Sequence, residues 1–152
     1  MFAVIALLAG GQPPTALGQA TWNGSVNGNW GTTANWSGTS AANLVNSGTS
    51  ALVFAGSTQV STTNTLSKFM ASGITFDSTA GNFTLSGSSI RLSGNLANNA
   101  ANSFQTVDLD LGINITASLR QFSAVATATN SYLGNITGVG SPSYRTTSGS
   151  TA

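Results

Sequence analysis

From Ala51 onward, apolar and polar positions alternate in short bursts. Leu52 and Phe54 stand two apart. So do Ile74 and Phe76, Phe83 and Leu85, Ile90 and Leu92, the series Val107, Leu109 and Leu111, and the pair Ile113 and Ile115. An extended chain turns successive side chains to opposite faces, so partners at i and i+2 share one face. Each burst therefore predicts a strand with one buried side. The intervals Asp77 to Asn82, Ser86 to Ser89, Ser93 to Asn95 and Asn98 to Asn102 are rich in the Gly, Asn, Asp and Ser that tight turns take. Outside the first ten residues, no window sustains the i, i+3, i+4 spacing of an amphipathic helix, and glycine and threonine weigh against one. The chain is predicted to be all-β.

Two all-β architectures fit short strands. A β-sandwich is the alternative, with strands of about five or six residues and two inner faces. A right-handed parallel β-solenoid (β-helix) is preferred. It uses shorter strands and tight turns, coiled into rungs that stack in register. Here each strand offers two or three inward residues, and small polar residues fill the intervals. Like charges stacked at ~4.8 Å repel, so a solenoid wall favours Ser, Thr and Asn. No strict period stands out along the chain.

Composition sharpens this picture. The chain has 152 residues, enough for one domain, with 40% hydrophobic residues but only 5% charged. Asn, Gly, Ser and Thr make up about half of it, well above ordinary usage. Near-normal hydrophobicity with alternation argues for a folded chain whose surface is polar and uncharged. With no Cys and no His, there is no disulfide framework, no Cys or His metal site and no histidine base. The net charge of +1 offers no basic footprint for nucleic acid or anionic lipid.

The amino-terminal fifty residues differ from the rest. Met1 to Gly10 is apolar, Gln12-Pro13-Pro14 breaks the run, and small residues Gly18 and Ala20 follow. Residues 1–20 thus read as a secretory signal cleaved after Ala20, though no Lys or Arg precedes the apolar run. Residues 21–50 form a Trp/Asn/Gly-rich block holding Trp22, Trp30 and Trp36, the three tryptophans of the chain. Residues 51–140 are the expected solenoid, and 141–152 a Ser/Thr/Gly tail.

The stretch from Gly73-Ile-Thr-Phe76 through Ala80-Gly-Asn-Phe-Thr-Leu85 to Ile90-Arg-Leu92 and Leu96 resembles the autotransporter-associated β-strand repeat of bacterial surface proteins. The upstream tryptophan blocks and Leu52-Val-Phe54 are similar to the opening of such proteins, so the resemblance spans roughly residues 21–140. It implies an exported, passenger-type β-helix displayed at the outer membrane or outside the cell. It implies no catalytic residue and no cofactor. Family members carry many repeats and an outer-membrane barrel or sorting tail. About one repeat and neither ending is legible here, which reads as a fragment or a minimal member.

Several residues invite a chemical reading. Asp108 and Asp110 flank Leu109; on one strand they would point the same way, ~6.5–7 Å apart. That suits a glycosidase acid–base pair or a calcium seat, but Val107, Leu109 and Leu111 claim the inward face, so a solvated acidic pair is expected. Trp22, Trp30 and Trp36 suit a sugar-stacking platform; the preferred reading is an aromatic end cap over the first rung. Lys68, Arg91, Arg120 and Arg145 are scattered and read as solvated. The run Ser61 to Thr65 resembles flat threonine arrays that bind ice, but no Thr-x-Thr ladder recurs at one rung position.

The expected function is a non-enzymatic structural or adhesion protein, secreted or at the cell surface, which displays its Asn/Ser/Thr wall. The alternative is a carbohydrate-binding module using the tryptophans. A polysaccharide-degrading β-helix using Asp108 and Asp110 comes third. Expected partners are glycans, other surface proteins and further copies meeting at the solenoid ends, with the membrane engaged only through export or an anchor.

Overall fold

The computed structural model describes residues 18–38, 50–113 and 121–138. The apolar signal run, Ile115, Arg120, Arg145 and the Ser/Thr/Gly tail lie outside the described residues. Strand β1 (Gln19–Trp22) opens the described chain, followed by β2 (Trp36–Ser37). Four rungs follow, each with three strands. The first is β3 (Ala51–Phe54), β4 (Ser61–Asn64) and β5 (Phe69–Ala71); the second is β6 (Gly73–Phe76), β7 (Thr84–Gly87) and β8 (Ile90–Leu92). The third is β9 (Leu96–Asn98), β10 (Phe104–Asp108) and β11 (Leu111–Ile113); the fourth is β12 (Phe122–Ala124), β13 (Thr129–Tyr132) and β14 (Ile136–Gly138).

Each strand pairs in parallel with the strand one rung away, never with its chain neighbour in the same rung. The result is a β-solenoid of about four turns with three walls. Sheet A holds β1, β3, β6, β9 and β12, with β2 antiparallel on the outer edge of β1. Sheet B holds β4, β7, β10 and β13, and sheet C holds β5, β8, β11 and β14. A β-sandwich is excluded by this parallel register.

The alternation drives the stack. Inward residues line up in columns: Ala20, Leu52, Ile74, Leu96 and Phe122 in sheet A, and Phe69, Ile90, Leu111 and Ile136 in sheet C. All but Ile136 are buried, and Ile136 packs against the same core. Corners are made where the backbone can afford them. Gly87 sits at φ 100°, and a Cβ there would stand 2.5 Å from the Asn64 carbonyl oxygen. At Gly94, a Cβ would overlap the carbonyl of Ser72, which occupies the same corner one rung earlier. Only glycine lets the two rungs approach so closely.

The structure carries a period that the sequence conceals. Hydrogen-bonded side chains on adjacent rungs lie 22 to 24 residues apart through the third turn, and 25 or 26 apart into the fourth. Four turns of one geometry thus stand where about one repeat is legible in the sequence. One inward site is Leu, Ile, Leu or Phe in successive turns, and its neighbour is Phe, Phe, Asn or Ala. Burial needs only a side chain of workable size at each rung, so identity drifts while geometry repeats.

The amino-terminal block folds over the first rung. β1 covers the edge of β3, while Trp30 N–H donates to the Thr63 carbonyl (3.0 Å) and Thr63 N–H to that of Gly28 (2.8 Å), which covers the edge of β4. Two sheet edges that would otherwise template foreign strands are thus occupied. Buried Asn35, at the end of a single 3₁₀ turn (Thr33–Asn35), ties this loop. Its Oδ1 accepts the N–H groups of Val26 and Asn27, and its Nδ2 donates to Asn27 Oδ1 and the Asn29 carbonyl. The expected processing point after Ala20 falls inside β1, where Ala20 is buried opposite Leu52.

Candidate functional site

The three tryptophans are interior. Trp22, Trp30 and Trp36 are buried and meet edge-on, with Trp22–Trp36 centroids 5.0 Å apart and Trp30–Trp36 centroids 6.0 Å apart. Phe54 packs against all three. Each indole N–H donates inside the protein, to the Thr58 carbonyl, Thr62 Oγ1 and the Trp30 carbonyl respectively. A sugar platform needs an open ring face and none is presented, so the glycan role weighed for Trp22, Trp30 and Trp36 does not fit their placement. They close the aromatic half of the core.

Asp108 and Asp110 do not share a strand. Asp108 ends β10 in sheet B, while Asp110 lies in the corner leading to β11 in sheet C. Both are exposed, and Leu109 between them is buried, so the alternation survives the bend. Asp110 is engaged structurally: its Oδ1 accepts the Asn135 N–H (2.8 Å), across to the next rung. Asp77 caps its own turn, accepting the N–H and hydroxyl of Thr79 at 2.7 Å each. Among the described residues no three Asp, Glu, His or Cys side chains gather in a metal-binding group.

The outer wall of sheet B is a more ordered surface than the sequence suggests. Ser61, Thr84, Thr106 and Ser131 form one outward row across four rungs. Thr63, Ser86 and Asp108 form a second beside it. No Thr-x-Thr ladder recurs from rung to rung, but a mixed Ser/Thr row does stand at one rung position. It was hidden because Ser and Thr interchange along it. The Thr63 and Ser86 hydroxyls stand 3.4 Å apart, and Ser86 also donates to the Thr62 carbonyl (3.0 Å). At the end of the wall, Phe104 is 49% exposed and registers with Thr129. Its N–H donates to Asn82 Oδ1 (2.9 Å).

Sheet C carries a shallow cavity of about 450 Å³, bordered by Ser89, Arg91, Asp110, Gly112, Asn135 and Thr137. Gly112 lies between Arg91 and Thr137 in the outward row, and its missing side chain makes the dent. A Cβ there would make only ordinary contacts, the nearest at 3.6 Å, so the dent is not a packing requirement. Arg91 points outward as expected, and Lys68 is exposed at a corner with φ 54°.

A polar network in the lower core escaped sequence reading altogether. Where the upper turns place Phe76 and Phe83, the next rung places Asn98 and Gln105, both buried. Gln105 Oε1 accepts the Phe83 N–H (2.8 Å), and its Nε2 donates to the Gly81 carbonyl and Ser103 Oγ. Asn98 Nδ2 donates to Asn130 Oδ1, and Asn130 Nδ2 reaches the Tyr132 hydroxyl (3.3 Å). Burial pushes the Tyr132 phenol up to about 12, opposed in part by that Asn130 bond. Gln105 and Asn98 each also serve buried backbone groups, the Phe83 N–H and Gly81 carbonyl for the one and the Ala100 N–H for the other, which marks the network as structural. No family model, curated protein or solved structure matches the chain.

Proposed function

We propose that this protein is a non-enzymatic display element of a cell surface, a secreted passenger-type β-helix of the autotransporter-associated repeat kind that presents a polar wall for adhesion. The observation behind the reading is the stack itself: about four turns, one wall of which, sheet B, carries outward rows made mostly of Ser and Thr. Such a rod is stiff because each rung bonds only to its neighbours and buries one continuous core. Its outer rows repeat, so weak contacts sum along its length. The repeat-like stretch from Gly73 to Leu96 spans one whole turn, β6 to β8, and reaches the first residue of β9, which supports the family resemblance.

The test is protease shaving and antibody labelling of intact source cells, combined with cell–cell and cell–substratum adhesion of a deletion strain. Surface exposure and lost adhesion are expected. Residence in the cytosol, or polymer hydrolysis that Asp108→Asn abolishes, overturns the reading.

A further inference from the structure

We propose that the outer wall of sheet B binds a single extended, uncharged, β-linked polysaccharide chain laid along the stack, with Phe104 as its stacking residue. This rests on the display reading and names what the wall holds.

Phe104 is the observation that points to a ligand. It occupies an outward strand position, half exposed, and is the one exposed ring in a wall made of hydroxyls, amides, one carboxylate and, just past β13 beside Asp108, the exposed Leu133. Its backbone is held on both sides, by Asn82 Oδ1 and by the register with Thr129, so the ring is presented from a rigid strand and not from a loop. An aromatic face offered in this way suits the C–H face of a pyranose. Beside the ring runs the hydroxyl row Ser61, Thr84, Thr106, Ser131. Each hydroxyl both donates and accepts, as sugar hydroxyls do. Rungs repeat at ~4.8 Å, close to the advance of one hexose in an extended β-linked chain, so successive sugars meet successive rungs.

Asp108 adds polarity at the far side of the wall. Its carboxylate is exposed and has no hydrogen bond among the described residues, leaving it to accept from a vicinal diol. With Asp108 as the one ionised group on these two rows, an anionic polymer gains nothing here, whereas a neutral one does. The same two residues speak against ice. An ice plane wants an unbroken hydroxyl lattice, and both Phe104 and Asp108 interrupt it.

The experiment is affinity electrophoresis of the full chain through gels cast with hydroxyethylcellulose, with pull-down on microcrystalline cellulose and on chitin. Retardation or retention on at least one probe is expected. Phe104→Ala should weaken it at least tenfold, and Phe104→Trp should preserve it. Val26→Ala, at a 57% exposed position on the cap loop, should leave it unchanged. Far-ultraviolet melting curves establish that each variant folds. Absence of binding to all three probes overturns the proposal, as does binding indifferent to Phe104→Ala. Ice shaping that Thr106→Leu abolishes and Phe104→Ala spares assigns the wall to ice and also overturns it. A failure here with surface exposure and adhesion intact leaves the display reading standing, so the two outcomes are separable.

Discussion

Removing the Trp30 side chain is the sharpest test of how the stack is closed. The ring is fully enclosed among Trp36, Phe54 and Phe69, at centroid distances of 6.0, 5.5 and 6.4 Å. Tryptophan buries 150–250 Å², and truncation of such a residue to alanine costs about 3–5 kcal/mol in a core that cannot collapse. A second cost follows from Thr62. Its buried hydroxyl accepts the indole N–H at 3.0 Å and donates to the Thr84 carbonyl at 3.3 Å, so Trp30→Ala leaves one acceptor unmatched, worth about 1 kcal/mol. The sum, roughly 4–6 kcal/mol, corresponds to a fall in melting temperature of about 15 °C or more for a domain of this size. In a stack coupled rung to rung, the loss should concentrate at the capped end. Hydrogen exchange should therefore rise first at amides of β3, β4 and β5, with β9 to β11 least affected. Thermal melting by circular dichroism and exchange mass spectrometry read the two effects. A variant that melts within 3 °C of the parent, or one that loosens all rungs equally, refutes the view of Trp30 as a cap.

Other substitutions probe the corners and the polar core. Gly94→Ala should cost about 3 kcal/mol or more, because its Cβ has no room beside the Ser72 carbonyl, while Gly112→Ala should be nearly neutral; denaturant titration of the pair checks the contrast. Gln105→Leu keeps the volume but strands the Phe83 N–H and the Gly81 carbonyl, and should cost about 2–3 kcal/mol by the same measurement. Tyr132 makes stability fall in alkali. Its folded phenol titrates near 12 against 10.0 unfolded, so above pH 10 the unfolded chain loses its proton first. Stability is then constant below about pH 10 and declines by up to roughly 2 kcal/mol toward pH 12, a slope that Tyr132→Phe should reduce in melts taken across that range.

Much of the site chemistry was hidden by the fold's tolerance. The sheet B ladder mixes Ser and Thr, and its members stand 22 to 25 residues apart, so no short window contains two rungs. Asp108 and Asp110 read as one strand because alternation persists through a corner; only backbone direction separates them into two walls. The polar core was invisible for the opposite reason. Asn98, Gln105 and Asn130 have the character of loop residues, and nothing local says that a side-chain amide will stand in for a missing backbone partner.

By itself, the sequence determined the local rules of this protein. Period-two alternation makes strands at Leu52–Phe54, Ile74–Phe76 and Ile90–Leu92 with one face inward, scarcity of charge permits stacking, and the tryptophan block is too large and apolar to stay in water. Those rules act over a few residues, which is why they are legible in a linear chain. Tertiary structure decided everything that depends on what lies one rung away: the number of turns, the columns of the core, the glycine at Gly94, and the wall on which Phe104 meets a row of hydroxyls. Those contacts join residues some 22 positions apart through backbone hydrogen bonds that any residue except proline can make, so no side-chain code in the sequence announces them.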